Sequence, residues 1–249
     1  MQIIACYSNK GGVGKTATAV NLAFAYAASG RRTLLCDLDP QGASGFYFRV
    51  KPSEKLTEAR FFEDADRFAQ AIRGSDYDDL DILPANMGFR DFDLFLSRMK
   101  NSQSRLKKTL KAVRSDYDVV VLDCPPNISM LSENVFHAAD AVVVPVIPTT
   151  LSQRTFEQLL EFFGDAGLSK ERIHAFFSMV QSIKSLHGEI IAEMTGAHSE
   201  RFMRATIPFA SEIERMGLAR APVLATAPNS RAGRAYRSLF AEIDGRTKP

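Results

Sequence analysis

Lys10-Gly11-Gly12-Val13-Gly14-Lys15-Thr16 is the stretch whose reading decides the fold. Ser8 and Asn9 separate it from a strand-like apolar run, Ile3-Ile4-Ala5-Cys6-Tyr7, and it leads straight into a helix-patterned segment at 17–29. Strand, glycine-rich loop and helix in that order is the context a phosphate-binding loop requires. Backbone N–H groups freed by the glycines converge on phosphate oxygens, and the helix N-terminus adds its positive dipole end. In such a loop Lys15 sits on the β- and γ-phosphates and the Thr16 hydroxyl ligates Mg2+. The stretch departs from the ordinary pattern at one end. Where that pattern wants glycine stands Asn9, followed by an extra lysine, Lys10.

Two further motifs lie where a phosphate-loop fold places them. Leu34-Leu35-Cys36-Asp37-Leu38-Asp39-Pro40-Gln41-Gly42 delivers two carboxylates at the C-terminal end of an apolar run, the edge at which open α/β sheets bind ligands. Val119-Val120-Val121-Leu122-Asp123-Cys124-Pro125-Pro126 delivers a third. An acid at such a strand end is the usual second Mg2+ anchor of phosphate-loop enzymes. A lone strand-then-Asp is weak, because turns favour Asp anyway; three elements in the right order are a joint signal.

The rest of the chain alternates strands with helices. Strands are expected at 3–7, 33–37, 80–83, 119–123, 141–146, 173–180 and 205–207. Several are near-continuous apolar runs, as strands buried on both faces of a mostly parallel sheet should be. Gly30 is the expected stop of the first helix, and Asn229 or Ser230, after Pro228, the expected cap of a last helix over roughly 230–243. No repeat or linker interrupts the pattern. The simplest account is an α/β fold, a single doubly wound, mostly parallel sheet with helices on both faces, as one domain over 1–249.

Composition agrees. The chain has 249 residues, 45% apolar and 24% charged, the balance of an ordinary globular protein. No apolar run approaches the roughly 20 residues needed to span a bilayer, and no leader is expected, since the first strand starts at once. Cys6, Cys36 and Cys124 are far apart, lack metal-ligand spacing and lie in or beside apolar strands; buried reduced thiols in a cytosol are the expectation. The net charge is only +2 but unevenly spread. Residues 54–81 hold nine acids and four bases, 98–114 seven bases and no acids, and 201–249 nine bases and four acids. Such asymmetry points toward a polyanion.

With these motifs in place, the chain resembles the ParA/MinD family of P-loop ATPases with a deviant Walker A motif, over nearly its whole length. The resemblance is carried by residues 10–16, 37–42 and 123–126, by Ala138-Ala139-Asp140-Ala141-Val142-Val143-Val144-Pro145, and by Ala227-Pro228-Asn229-Ser230-Arg231-Ala232-Gly233. Asp39-Pro40-Gln41-Gly42 and Asp123-Cys124-Pro125-Pro126 look more like ParA-type partition proteins than MinD. The resemblance implies a homodimer that sandwiches ATP and Mg2+. Its nucleotide contacts would be Lys10, Gly11, Gly12, Val13, Gly14, Lys15, Thr16 and Ala17, with adenine touching the Ile207-Pro208 turn. Thr16, Asp39 and Asp123 would serve the metal. Lys10, Lys15 and Asp39 would carry hydrolysis, Asp39 positioning the attacking water and Lys10 reaching the opposite subunit's nucleotide. A cation supplied in trans can be worth up to ~10^3–10^5 in rate, judging by arginine fingers. Asp37 is expected to touch Mg2+ or to cap its loop. Phe209 stands where many relatives carry a basic residue, so it either stacks on the base or packs in the core.

Relatives divide by the surface they bind. Partition-type members bind DNA without sequence preference, and Arg231 matches a DNA-contacting arginine of the family. Charge clustering adds Arg201, Arg204, Arg234 and Arg237 as candidates; the alternative is that they are solvated or paired with Glu212, Glu214 and Glu242. The basic run 98–114 is a rival patch, with Leu106, Leu110 and Val113 as its inward stripe. The resemblance implies a cytoplasmic, nucleoid-associated ATPase, with a cargo-adaptor protein stimulating hydrolysis. No operator-reading region is expected before the first strand. The principal alternative is a MinD-like, membrane-cycling division regulator, whose last helix enters a bilayer. Here Tyr236, Leu239, Phe240 and Ile243 read as a core-facing stripe and residues 244–249 as a short polar tail, so no stable membrane anchor is expected. An iron-protein reductase lacks its cluster cysteines, a bacterial tyrosine kinase its tyrosine-rich tail, and a non-hydrolysing ATP-gated module stays open.

Overall fold

The computed structural model describes residues 1–247. Its strands are β1 (Gln2–Cys6), β2 (Thr33–Asp37), β3 (Arg73–Gly74), β4 (Leu80–Leu83), β5 (Val119–Asp123), β6 (Ala141–Val146) and β7 (Ile173–Phe177). They form one seven-stranded sheet in the order β3-β4-β2-β5-β1-β6-β7, parallel except for the antiparallel edge pair β3–β4. Every residue of β2, β5, β6 and β7 is buried. That is why these strands read as unbroken apolar runs: helices cover both faces and no position faces water.

Side chains alternate across the sheet. Ile3, Ala5, Leu34, Cys36, Val120 and Leu122 face one core, filled out by Phe61, Phe92, Leu106, Leu110 and Phe136. Ile4, Cys6, Leu35, Val121 and Val143 face the other, covered by the first helix, Lys15–Ala28, and the last, Arg231–Thr247. Tyr236, Leu239 and Ile243 are buried there, and Phe240 packs edge-on against Tyr26 at 4.9 Å. The expected apolar stripe of the last helix is therefore core. Its start is capped as expected, the Ser230 hydroxyl accepting from Gly233 N–H at 3.0 Å. Gly233 itself admits no side chain, because a Cβ there would overlap the Ala227 and Pro228 carbonyl oxygens. Gly30, at φ +82°, ends the first helix. Cys6, Cys36 and Cys124 are buried free thiols.

Four details differ from the sequence expectation. β3 is two residues, one of them glycine, with no apolar signal to find. β7 stops at Phe177 instead of residue 180, since Met179 at φ +54° turns the chain away. Residues 205–207 do not form a strand. The segment runs along the edge of β7 and the chain that follows it, touching through isolated bridges, Ala175 to Phe202 within the strand and Val180 to Pro208 past its end. Between them the N–H groups of Arg204 and Ala205 turn outward and both donate to the Glu242 carboxylate at 2.7 Å. The last helix continues past residue 243 to Thr247; of the expected polar tail, residues 248 and 249 lie outside the described residues.

Candidate functional site

The glycine-rich loop joins β1 to the first helix in the middle of the sheet. Gly12 and Gly14 hold φ of +72° and +92°, conformations that L side chains rarely adopt. Gly14 also packs close, since a Cβ there would sit 3.2 Å from Ser178 Oγ. Val13 is buried beneath the loop while Gly11 and Gly12 are exposed, so its backbone faces outward. Lys15 opens the helix at 7% exposure, and its Nζ donates to the Lys10 carbonyl at 3.2 Å. Burial lowers its pKa, opposed by the nearby Asp123 and Asp39 charges. Thr16 and Ala17 follow in the first turn, both partly buried.

Lys10 is half-buried, and its Nζ donates to Ser152 Oγ at 3.3 Å. Ser152 belongs to the first turn of the helix Thr150–Asp165, whose cap is Thr149. The two hydroxyls lie 3.0 Å apart. Ser8, Val13, Val146 and Phe156 wall the cleft into which the lysine stem folds.

The carboxylates converge opposite the loop. Asp37 and Asp123 are register partners at the ends of β2 and β5, and both are fully buried. Asp37 caps its own loop, accepting from Asp39 N–H through Oδ1 at 3.1 Å and from Ser44 N–H through Oδ2 at 3.0 Å. Burial and the neighbouring Asp123 push its pKa well above the carboxylate range. Asp39, half-exposed, accepts from Gln41 N–H at 3.0 Å, which closes the turn. Asp123 accepts from Ser44 Oγ at 2.9 Å through Oδ2, while Oδ1 is buried without a hydrogen-bond partner. Burial raises its pKa to about 6, and the hydroxyls of Thr16 and Ser44 pull it back.

A bare buried carboxylate oxygen and a threonine hydroxyl are hard donors, and they fit a divalent cation such as Mg2+, which keeps most of its waters and takes one or two protein oxygens. Among the described residues no group of three or more His, Cys, Asp or Glu side chains is arranged to hold a metal ion, so a protein-only metal cage is not what this site offers. Ser44, Thr149 and Ser152 carry no motif in the sequence and emerge only from the fold.

Farther out, Pro208 is buried beside β7, and the next residue, Phe209, is 53% exposed rather than part of the core. Arg231, Arg234 and Arg237 lie along the exposed face of the last helix. Arg234 and Arg237 donate back to the carbonyls of Asn229 and Pro228, and Arg204 is exposed, its backbone N–H held by Glu242 farther along the same helix. Arg201 is turned inward, only 20% exposed at its side chain and paired with Glu200. Of the three acids weighed as arginine partners, Glu242 is used by backbone N–H groups instead. In the rival patch, Leu106, Leu110 and Val113 are buried and Lys107, Lys108, Lys111 and Arg114 exposed. No described helix is long and apolar enough to cross a membrane.

The family model AAA_31, an AAA domain, matches residues 1–173. The chain is 29% identical to the sporulation initiation inhibitor protein Soj of Bacillus subtilis, over 97% of this chain and 98% of Soj. Among solved structures it superposes with a TM-score of 0.81 and 25% identity on a cobyrinic acid a,c-diamide synthase from Mycobacterium smegmatis with bound ADP and magnesium, covering 100% of this chain and 98% of that one. It superposes with a TM-score of 0.84 and 19% identity on a McdA–ATP complex from Cyanothece, covering 99% and 96%; at that identity the likeness speaks to the fold.

Proposed function

We propose, from the premise that this chain belongs to the AAA_31 family as a ParA/MinD-type P-loop ATPase, that it is an ATP-driven positioning protein. ATP with Mg2+ binds across the glycine loop, two subunits close over it, and the closed dimer holds DNA without sequence preference. A cargo-bound adaptor then stimulates hydrolysis and releases the dimer. Bound Mg2+ would screen the phosphate charge and fix the geometry of the β- and γ-oxygens.

One observation carries the reading. Four segments that follow strands around the phosphate site each expose a large apolar side chain: Phe46 in the short helix after β2, Ile128 in the loop after β5, Leu151 in the first helical turn after β6 and Ile183 in the loop after β7, the last at 91%. Apolar groups clustered on one edge mark an interaction surface, and this edge also bears Lys10. A second copy docked there would cover them and bring its own Lys10 toward the facing nucleotide. Lys15 would hold the β- and γ-phosphates, and Asp39 would orient the attacking water. The buried stripe Tyr236, Leu239 and Ile243 supports a core role for the last helix and leaves its exposed arginines for a polyanion. Two such faces on one dimer bind far more tightly than one.

The test is light scattering and DNA binding in no nucleotide, ADP and a non-hydrolysable ATP analogue, across a salt series. The reading requires a dimer and DNA retention in the analogue alone. A monomer in all three states overturns it, and flotation with anionic vesicles in place of DNA retention would favour the MinD-like alternative.

A further inference from the structure

Ser44 belongs to none of the sequence motifs, yet it is fully buried and touches both strand-end carboxylates. Its N–H donates to Asp37 and its hydroxyl to Asp123. Asp37, held from the other side by Asp39 N–H, completes a chain from Asp39 through Asp37 and Ser44 to Asp123. A carboxyl group rotates broadly about its terminal torsion. Occupying Oδ2 of Asp123 fixes that torsion; among the described residues Oδ1 is buried and accepts no hydrogen bond, although the Thr16 hydroxyl lies close enough to the carboxylate to lower its pKa. A purely structural arrangement would satisfy both oxygens of a buried acid, because a bare one is costly.

We infer that Ser44 is a positioning residue, one that aims Oδ1 of Asp123 at the divalent cation and couples that aim to the loop bearing Asp39. The inference rests on the reading of the site as one for Mg2+ and ATP. Residues that orient a metal-binding carboxylate are typically worth about 10–100-fold in metal affinity or activity. The loop 38–44 and the metal site are therefore coupled, with Ser44 acting through Asp123.

The test compares wild type with Ser44→Ala, Ser44→Cys and Ser44→Thr. Calorimetry measures ATP affinity in EDTA and in Mg2+, and electron paramagnetic resonance follows Mn2+ in the ATP complex. Wild type should gain affinity when Mg2+ replaces EDTA. Ser44→Ala and Ser44→Cys should lose most of that gain, roughly 10–100-fold, and broaden the Mn2+ spectrum, with EDTA affinity unchanged. Ser44→Thr should restore both. Ser44→Cys fills the site with a slightly larger side chain and replaces the strong donor by a weak one, so it reports even where the cavity left by Ser44→Ala prevents folding. Full retention of the Mg2+ gain and of the Mn2+ spectrum in Ser44→Cys overturns the inference. A wild type with no Mg2+ gain overturns the underlying reading of the site, and this inference with it.

Discussion

The Lys10 ammonium lies 3.3 Å from the hydroxyl of Ser152, in the same chain and 142 positions away. The acceptor is neutral, and it sits in the first turn of a helix, where the dipole disfavours a cation. A hydrogen bond of this kind contributes about 1–3 kcal/mol at most, so the lysine is held lightly, and in the proposed dimer a facing triphosphate should outcompete its present partner. Lys10→Ala should therefore bind ATP normally by calorimetry, stay monomeric by light scattering and hydrolyse about 10^3-fold more slowly. An ATP-dependent dimer in that variant would remove Lys10 from the cycle.

Lys15 is the buried cation of the loop, with Asp123 and Asp39 as its nearby charges. In the proposed complex Lys15→Gln would remove the counter-charge for the β- and γ-phosphates. A charged hydrogen bond is worth about 1.5–3 kcal/mol, so ATP affinity should fall by one to two orders of magnitude or more. Unchanged calorimetric affinity would contradict the assignment.

Asp39 is half-exposed at the mouth of the site, where its carboxylate accepts from Gln41 N–H in its own turn. Asp39→Ala should leave ATP binding and dimerisation intact and slow turnover by about 10^2–10^4-fold, the range for a lost general base. The ATP form should then persist on DNA. If that variant leaves DNA as fast as wild type in a stopped-flow release assay, Asp39 does not act on the water.

Arg231 opens the last helix and is exposed, whereas Arg201 is paired and turned inward. Arg231→Glu should weaken DNA binding and flatten the salt dependence by about 0.9 log unit for each phosphate it no longer neutralises, with the ATP dimer intact. Arg201→Ala should change the salt slope far less. Equal slopes for wild type and Arg231→Glu would move the interface elsewhere, and the exposed lysines near 107–111 become the next candidates.

Asp123 carries a pKa of about 6, against 3.8 for an ordinary aspartate, because it is buried. Between roughly pH 4 and 6 the folded state therefore holds a proton that the unfolded chain releases, and stability falls as pH rises through that window. Asp123→Asn has no such proton to lose. In the nucleotide-free protein it should melt higher than wild type at pH 7, with the margin shrinking as pH falls toward 5. A margin constant with pH would show that another group sets the titration.

The central strands were legible because every residue of β2, β5 and β6 is buried, so hydrophobicity alone marks them. The loop was legible because Gly12 and Gly14 need left-handed backbone. The stretch 205–207 misled because its apolar residues look like a strand, while its ladder is broken by Glu242, 37 positions beyond Ala205. Ser44 and Ser152 were invisible for a related reason. Their partners lie 79 and 142 positions off, and a buried serine leaves no periodicity behind. What the sequence carried was local chemistry; what it hid was the wiring between distant segments.

Glu242 also ties two remote parts of the molecule together. Its carboxylate fastens Arg204 and Ala205 to the last helix, and that helix begins at Arg231. The strip leading to Pro208 and the arginine face are thus mechanically joined, with Arg246 of the same helix holding the Glu200 and Phe202 carbonyls as a second tie. A pull on the helix reaches the rim beside β7 through both ties, and cutting the Glu242 tie alone would loosen the strip at Arg204 and Ala205 while Arg246 and the shared core still hold it.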